Sequence, residues 1–479
     1  MSILRALTLL GLFILTTTLQ ASATHIVGAE ISYVPVPNSN PNDFRYYVTA
    51  RLYRDISGST TVDFGQTIPL YCRKNGCTAA DPGSFTATLT RMSTTQLAYV
   101  RCSGASSVEL QVFSAEVRLY PGSWALSIAE ENRTQGIMNL TNSANYGLYA
   151  DAELNNSAAA RALPNTSPVF TSSRLPYICG SQFHRYSFAA FDADGDSLVY
   201  RLAAPLAAST ADPCPRPIPG VASPHFDIRP ATGELFTIPF SLTLGIFNVV
   251  VRVDEYRRIN SQWLKIGSVM RDLTYPVSTN AGNRNPTFTT LTAGTASQPV
   301  GQLIRVSPGQ SLSLTLNATD QDAGQTLRFA SDAAATIPGV TFQTLSATQA
   351  RLSWQVPATL PPGRYTIPVA VSDNACPTNG IEAQTLTFLV GSQVLAAHPP
   401  QPGLELAAYP MPFREQVRFQ LYSSGPQQIQ ITDNLGRIVA KLTSQANGTV
   451  VWRPAASLAP GLYLARTPDG RQRLRLLRE

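Results

Sequence analysis

Gly245-Ile246-Phe247-Asn248-Val249-Val250-Val251-Arg252-Val253-Asp254 reads as a β-strand that ends on an acidic residue. The Val/Arg alternation over Val249 to Val253 sends successive side chains to opposite faces, the period of a half-buried strand. The same order of residue types returns in Gly363-Arg364-Tyr365, running through Ile367, Val369 and Val371 to Asp373, which answers Asp254 at an offset of 119. Upstream, Asn165-Thr166-Ser167-Pro168-Val169-Phe170 matches Asn283-Arg284-Asn285-Pro286-Thr287-Phe288 at an offset of 118. Between these marks, Phe191-Asp192-Ala193-Asp194-Gly195-Asp196-Ser197-Leu198-Val199-Tyr200 is answered by Asp320 and Asp322 at an offset of 128, and by Gly324, Leu327 and Phe329 at 129. Self-similarity of this kind marks a repeated structural unit. It predicts two β modules in tandem, residues 165–279 and 283–392, the second with a longer insertion before its acidic loop.

Period two dominates elsewhere too, as in Tyr46 to Tyr53 and in Val417, Phe419 and Leu421 against Arg418, Gln420 and Tyr422. Turn clusters punctuate it at 37–43, 80–83 and 279–286, the spacing of sandwich strands. Helix signals are few; one or two turns are expected within Ser143 to Arg161. Only 14% of the 479 residues are charged, which argues against coiled coils, while 44% are hydrophobic and can build cores. The fold class predicted is all-β: tandem sandwiches, preceded by a β-rich domain at 24–164 and followed by a stiff linker at 393–403 and a small β-sandwich at 404–479. Of the net charge of +6, residues 404–479 carry ten Arg/Lys against five Asp/Glu, and with Arg5 set aside residues 24–403 are neutral. That excludes a nucleic-acid footprint in the body of the chain.

Residues 1–23 read as a signal peptide: Arg5, an apolar run from Ala6 to Leu15, and a small-residue cleavage site at Ala21-Ser22-Ala23. No apolar stretch approaches the roughly 20 residues of a membrane span. Export through the periplasm to the medium or the outer cell surface is therefore expected. Export makes disulfides available to Cys72, Cys77, Cys102, Cys179, Cys214 and Cys376. Six cysteines allow 15 connectivities. Proximity pairs Cys179 with Cys214 and Cys102 with Cys72 or Cys77. Zinc at Cys72 and Cys77 lacks a second ligand pair.

The N-x-x-P-x-F entry, the D-x-D loop and the G-x-aromatic strand ending in Asp resemble cadherin-like and related immunoglobulin-like modules of bacterial surface proteins. Glu255-Tyr256-Arg257, Arg271-Asp272-Leu273 and the start Thr24-His25-Ile26-Val27-Gly28 resemble large secreted proteins of the Bacteroidota. The tail is more specific. Tyr409-Pro410-Met411-Pro412-Phe413, then Asp433-Asn434-Leu435-Gly436-Arg437, then Gly461-Leu462-Tyr463 and a basic end resemble the type A C-terminal sorting domain of the type IX secretion system. That resemblance implies a small all-β domain that carries cargo across the outer membrane by docking the type IX machinery. Pro410, Pro412, Phe413, Asp433, Gly436, Arg437, Gly461 and Tyr463 would be its sorting-signal positions. Met411 stands where the family usually has Asn. Arg471, Arg473 and Arg475 would give one strand a basic face.

Asp192, Asp194 and Asp196 are the strongest candidate ligands. Calcium takes six to eight oxygens, and alternate carboxylates on a tight turn supply several. The loop is not an EF-hand, whose twelfth position is Glu, because Ala203 stands there. The cadherin-like resemblance implies that Asp254 closes on the same end, and that Asp320, Asp322 and Asp373 are the second module's counterparts. Against calcium, Asp and Gly also simply make turns.

Gly195-Asp196-Ser197-Leu198 spells the nucleophile block of a lipase and esterase family, but a serine nucleophile needs a histidine held by a carboxylate. Only His25, His184, His225 and His398 exist, none in that family's spacing. The leading reading is a non-catalytic secreted or surface-displayed protein for adhesion or scaffolding, whose extracellular glycan or protein ligand is open. The alternative is a glycan-binding module or glycan-active enzyme within 24–164, resting on Tyr46, Tyr47, Tyr53, Tyr71 and Trp124 as stacking rings, or on Glu116 with Glu130 or Glu131 as paired carboxylates.

Overall fold

The computed structural model describes residues 26–479 except 38–42, 57–62, 78–82, 98–107, 132, 158–163, 219–224, 238–242, 295, 376–377, 392–403, 406–407, 422–425, 434–435 and 469–471. The signal peptide, Thr24, His25, Cys102, Cys376, Arg471 and nearly all of the linker lie outside the described residues. The chain forms two compact units, residues 1–393 and 394–479.

The first unit begins with seven strands: β1 (Ile26–Pro35), β2 (Arg45–Asp55), β3 (Thr67–Lys74), β4 (Phe85–Gln96), β5 (Val108–Arg118), β6 (Ser123–Glu130) and β7 (Leu148–Asn155). They pair in the order β1-β2-β5-β4-β3-β6-β7. Alternation selects the inner face: Tyr46, Val48, Ala50 and Leu52 of β2 are all buried. Both ends of this sheet then bond to one strand from far downstream, Gln262–Ser278. Gly28 faces Leu273, and Ala152 faces Val269. The approach is close, for a Cβ on Gly28 would lie 2.7 Å from the carbonyl oxygen of Asp272. One buried cluster accordingly runs from Ile26 to Val277.

The boundary read at 164/165 thus falls within one sheet and one core. Period two reveals a strand but not its partner, and the free edges of β1 and β7 need one. Gln262–Ser278 is the returning half of a long hairpin whose outgoing half is Gly245–Ile259. Asn260 (φ 49°) and Ser261 (φ 66°) turn it, both left-handed as a two-residue hairpin turn requires. Ser197–Ala203 adds to the outgoing half and ends the sheet. Small sheets of Arg185–Ser187, Glu234–Thr237 and Phe226–Ile228, of Val169–Phe170 with Ala190–Phe191, and of Leu206–Ala207 with Arg216–Pro217 lie in the same region.

Residues 287–390 form a two-layer sandwich of a five-stranded and a four-stranded sheet. Trp354, Leu352, Leu314, Ile367, Val369 and Phe388 fill its core. Phe191 of the preceding region joins that core and packs its ring 5.7 Å from that of Tyr365. Further ties are the Ser187–Thr385 hydroxyl pair at 2.6 Å and the Arg185–Glu382 ion pair at 3.3 Å.

Residues 394–479 hold a five-stranded and a three-stranded sheet around Phe413, Phe419, Ile431, Trp452 and Tyr463. The protein is all-β. Among the described residues the helices are two three-residue 3-10 turns, Ser143–Asn145 and Ala333–Ala335. Of the one or two turns expected within 143–161 the described residues hold one, Ser143–Asn145, because Leu148, Ala150, Ala152 and Leu154 keep period two in β7. Among the described residues no helix is long and apolar enough to cross a membrane.

Candidate functional site

The acidic turn of the first repeat is held by its own backbone. Asp192 Oδ1 accepts the N–H groups of Asp194 and Asp196, both at 3.0 Å, and Gly195 sits at φ 78° with no room for a side chain against Pro361. Asp192 Oδ2 is left buried without a hydrogen bond. Glu255, from the outgoing hairpin strand, reaches the same place. Its Oε2 accepts the Asn165 amide at 2.8 Å, while its Oε1 is buried without a hydrogen bond. Ligand oxygens of Asp192, Asp196 and Glu255 all lie within 4.8 Å of one another. Asp194 Oδ2 accepts the Thr166 N–H at 2.7 Å. One guanidinium reaches two of these four carboxylates: Arg257 donates from Nε to Asp196 at 2.8 Å and from Nη2 to the Asn165 amide oxygen at 2.8 Å, and stands 3.2 Å from Asp194.

Burial pushes Asp192 up to about 6, with the charges of Asp196 and Asp194 adding to it. Burial and the nearby Asp192 charge push Glu255 well above the usual carboxylate range. With no cation bound, the Asp192 and Glu255 carboxyls therefore relieve their mutual repulsion by keeping a proton between them, a proton that a divalent cation would displace.

Asp254 is not part of it. Its Oδ2 accepts from Arg201 Nε at 2.8 Å and its Oδ1 lies 2.8 Å from Lys265 Nζ; those cations lower its pKa although burial works the other way. Adjacent strand residues face opposite ways, so the sandwich end receives Glu255 and the flank receives Asp254. The signal for this was in the repeat. The 118-residue offset that relates Asn165 to Asn283 relates Glu255, not Asp254, to Asp373.

The second repeat copies the frame with fewer charges. Asn283 donates to Asp373 Oδ2 at 2.9 Å, Asp320 Oδ1 accepts the Asp322 N–H at 2.8 Å, and Asp322 Oδ2 accepts the Arg284 N–H at 2.7 Å. Asp373 Oδ1 is spent on the N–H groups of Ala375 and Gly380. The Gln325 amide donates to Asn283 Oδ1 at 2.8 Å, the place Arg257 takes in the first repeat. Asp320, Asp322 and Asp373 do not converge as the first set does.

The other candidates resolve differently. Ser197 is exposed, whereas His184 is buried against Tyr275 and His225 packs on Phe247, so no Ser–His pair forms among the described residues. Tyr46, Tyr53, Tyr71 and Trp124 are buried and offer no stacking surface; Tyr47 alone of that set is exposed. Glu116 pairs with Arg45 at 3.0 Å on β5, whereas Glu130 ends β6, three strand spacings away in the order β5-β4-β3-β6, about 14 Å at roughly 4.8 Å each. That exceeds the roughly 5–9.5 Å between the paired carboxyls of glycosidases.

The disulfide is Cys77–Cys214, not Cys179–Cys214, and Cys72 and Cys179 are buried free thiols. Cys72 lies in the buried cluster on β3 and Cys179 lies on a strand bonded to the hairpin, while Cys77 follows the end of β3 in a bend. Sequence proximity therefore misleads. In the tail, Phe413 packs on Trp452 at 5.5 Å, and Pro410 and Pro412 follow cis bonds. Asp433 accepts from Arg437 N and Nε at 2.9 and 2.7 Å across the turn containing Gly436. Tyr463, two residues after Gly461, donates its hydroxyl to the Ala459 carbonyl.

No family model and no curated protein matches the chain. Among solved structures it is similar to titin domains A168–A170 (11% identity over 65% of this chain and 99% of that one, TM-score 0.15). It is likewise similar to Drosophila N-cadherin EC1-3 (10% over 64% and 99%, TM-score 0.20). A nucleoside hydrolase-related hypothetical protein from Saccharophagus degradans matches at 17% identity over 23% of this chain, TM-score 0.17, and the chain spans only 26% of that protein's length. Such low scores bear on no site and no activity.

Proposed function

We propose that the chain is a non-catalytic, secreted or surface-displayed β-sandwich protein for adhesion or surface scaffolding, in which Asp192, Asp194, Asp196 and Glu255 hold calcium. The observation that carries the calcium reading is the convergence of the buried Asp192, Asp196 and Glu255, whose ligand oxygens lie within 4.8 Å, with Asp192 Oδ2 and Glu255 Oε1 facing each other's carboxyls and receiving no donor from another residue. Four carboxylates around one guanidinium suit a hard divalent cation, which takes oxygen ligands and offsets their repulsion. The ion would tie the Asp192–Asp196 turn to the hairpin and stiffen this end of the sandwich. Asp320, Asp322 and Asp373 would form a weaker counterpart. In the same reading residues 404–479 direct export through the type IX machinery, with Phe413 as a buried anchor of that domain.

Melting of the full chain with millimolar calcium and with chelator tests the calcium site. A midpoint several degrees higher in calcium is expected, and identical curves would overturn it. Retention of a reporter fused to residues 404–479 inside type IX-competent cells would overturn the export role.

A further inference from the structure

Trp263 stands apart from the other tryptophans. Trp124, Trp354 and Trp452 are at most 3% exposed, whereas Trp263 is 62% exposed beside the hairpin turn. It lines a cleft of about 470 Å³, within the range of small-ligand sites. Ser197 to Tyr200 of the sheet's last strand form one wall, Pro362, Gly363 and Arg364 of the second repeat form the other, and Asp196 lies at the edge shared with the acidic cluster. Val199, 39% exposed, extends the apolar surface. Arg364 is exposed in the cleft, and Arg258 is exposed directly across the hairpin from Trp263. Neither guanidinium is in an ion pair among the described residues.

We infer that this cleft binds an acidic glycan, a pyranose chain carrying carboxylate or sulfate groups. The C–H face of a sugar ring stacks on an exposed indole, and planar guanidinium forks match carboxylate or sulfate oxygens in pairs. The exposed Ser197 hydroxyl adds a polar partner for ring hydroxyls. Arg257 already answers Asp196, so Arg364 and Arg258 remain for the ligand's charge. The neutral body of the chain disfavours a nucleic acid in the same place. This assignment supplies a ligand class for the adhesion reading above and rests on it for its extracellular setting, but it lies in a different part of the first unit from the rings of residues 24–164.

The test titrates the full chain with hexagalacturonate, maltohexaose and hexaglutamate, in calcium and in chelator, following heat and the fluorescence of the exposed Trp263. Hexagalacturonate is expected to bind and quench. Trp263→Ala is expected to weaken it about tenfold or more, and Arg364→Gln about threefold to tenfold with a flatter salt dependence. Both side chains are exposed, so both variants should melt with the wild type. Equal binding by Trp263→Ala, no binding of hexagalacturonate by the wild type, or equally tight binding of maltohexaose or hexaglutamate would each overturn the inference. Quenching that persists while chelator leaves the melting curve unchanged would instead overturn the calcium reading alone.

Discussion

The side-chain amide of Asn165 donates to Oε2 of Glu255 at 2.8 Å, joining the entry of the first repeat to the end of its hairpin strand. The amide of Asn283 makes the same bond to Asp373 at 2.9 Å, 118 residues later in both partners. This bond identifies the equivalent carboxylates of the two repeats.

Glu255→Gln should therefore remove most of the calcium-dependent rise in melting temperature, while Asp254→Asn keeps it. At calcium 100-fold above its dissociation constant the linked stabilisation is about 2.7 kcal/mol. Asp254→Asn weakens the pairs that the buried Asp254 makes to the partly exposed Arg201 and Lys265, which lowers the melting temperature equally with and without calcium. Calorimetry of the two variants with and without calcium decides; an unaltered calcium shift in Glu255→Gln would return the site to the position first read from the sequence.

Strand alternation, the acidic turns and the repeat were legible in the sequence because each is a local pattern. What was not legible depends on pairing across the fold. Gly28 and Leu273 belong to two stretches far apart in the sequence, yet they face each other where β1 meets the hairpin, as do Glu30 and Arg271. Asp254 and Glu255 are neighbours at the end of one strand, and strand facing bears out the residue that the 118-residue offset marks, not the one that residue type suggests. Cysteine pairing fails for the same reason, since Cys77 and Cys214 are 137 residues apart.

Arg271, 1% exposed, is held by Glu30, by the Ser172 carbonyl at 2.7 Å and by the Tyr53 hydroxyl at 3.2 Å, with the Phe170 ring 4.5 Å from its Cζ. Arg271→Met would leave the buried Glu30 carboxylate with only Arg51, 3.9 Å away, a loss of about 3 kcal/mol, the lower end for a broken buried pair. The double variant Glu30→Met with Arg271→Met should cost less than Arg271→Met alone, because no uncompensated charge remains. Denaturant midpoints of the three variants test this, and simple additivity of the single losses would refute it.

His184 gives the fold a pH dependence of predictable sign. Both ring nitrogens are buried without hydrogen bonds, and burial pushes its pKa down to about 3. The unfolded imidazole takes its proton near pH 6.5, so between those values the unfolded state binds more protons and stability falls as pH falls. From pH 8 to pH 5 the loss attributable to His184 is roughly 2 kcal/mol. Glu130 works the other way: burial and Glu131 push it up to about 7, so the folded state gains a proton first and stability rises as pH falls through that range. Comparison with His184→Leu isolates the histidine. The wild type should lose more stability than the variant between pH 8 and pH 5, and parallel curves would refute the assignment.

The Cys77–Cys214 bond ties the turn after β3 to the 208–218 segment, where Tyr71 donates to the Thr210 carbonyl at 3.2 Å and Glu131 accepts from Thr210 N and Oγ1. It closes a loop of 137 residues, long enough for cross-linking to remove substantial entropy from the unfolded chain. Replacing both cysteines with serine should cost about 2–4 kcal/mol. Cys72, whose thiol burial pushes up to about 12, and Cys179, also raised by burial, should resist alkylation in the folded protein and react once it unfolds. Peptide mapping without reductant should recover Cys77 linked to Cys214. A peptide linking Cys179 to Cys214 would refute the arrangement, because Cys179 could reach Cys214 only by leaving the strand that bonds it to the hairpin at Ser278.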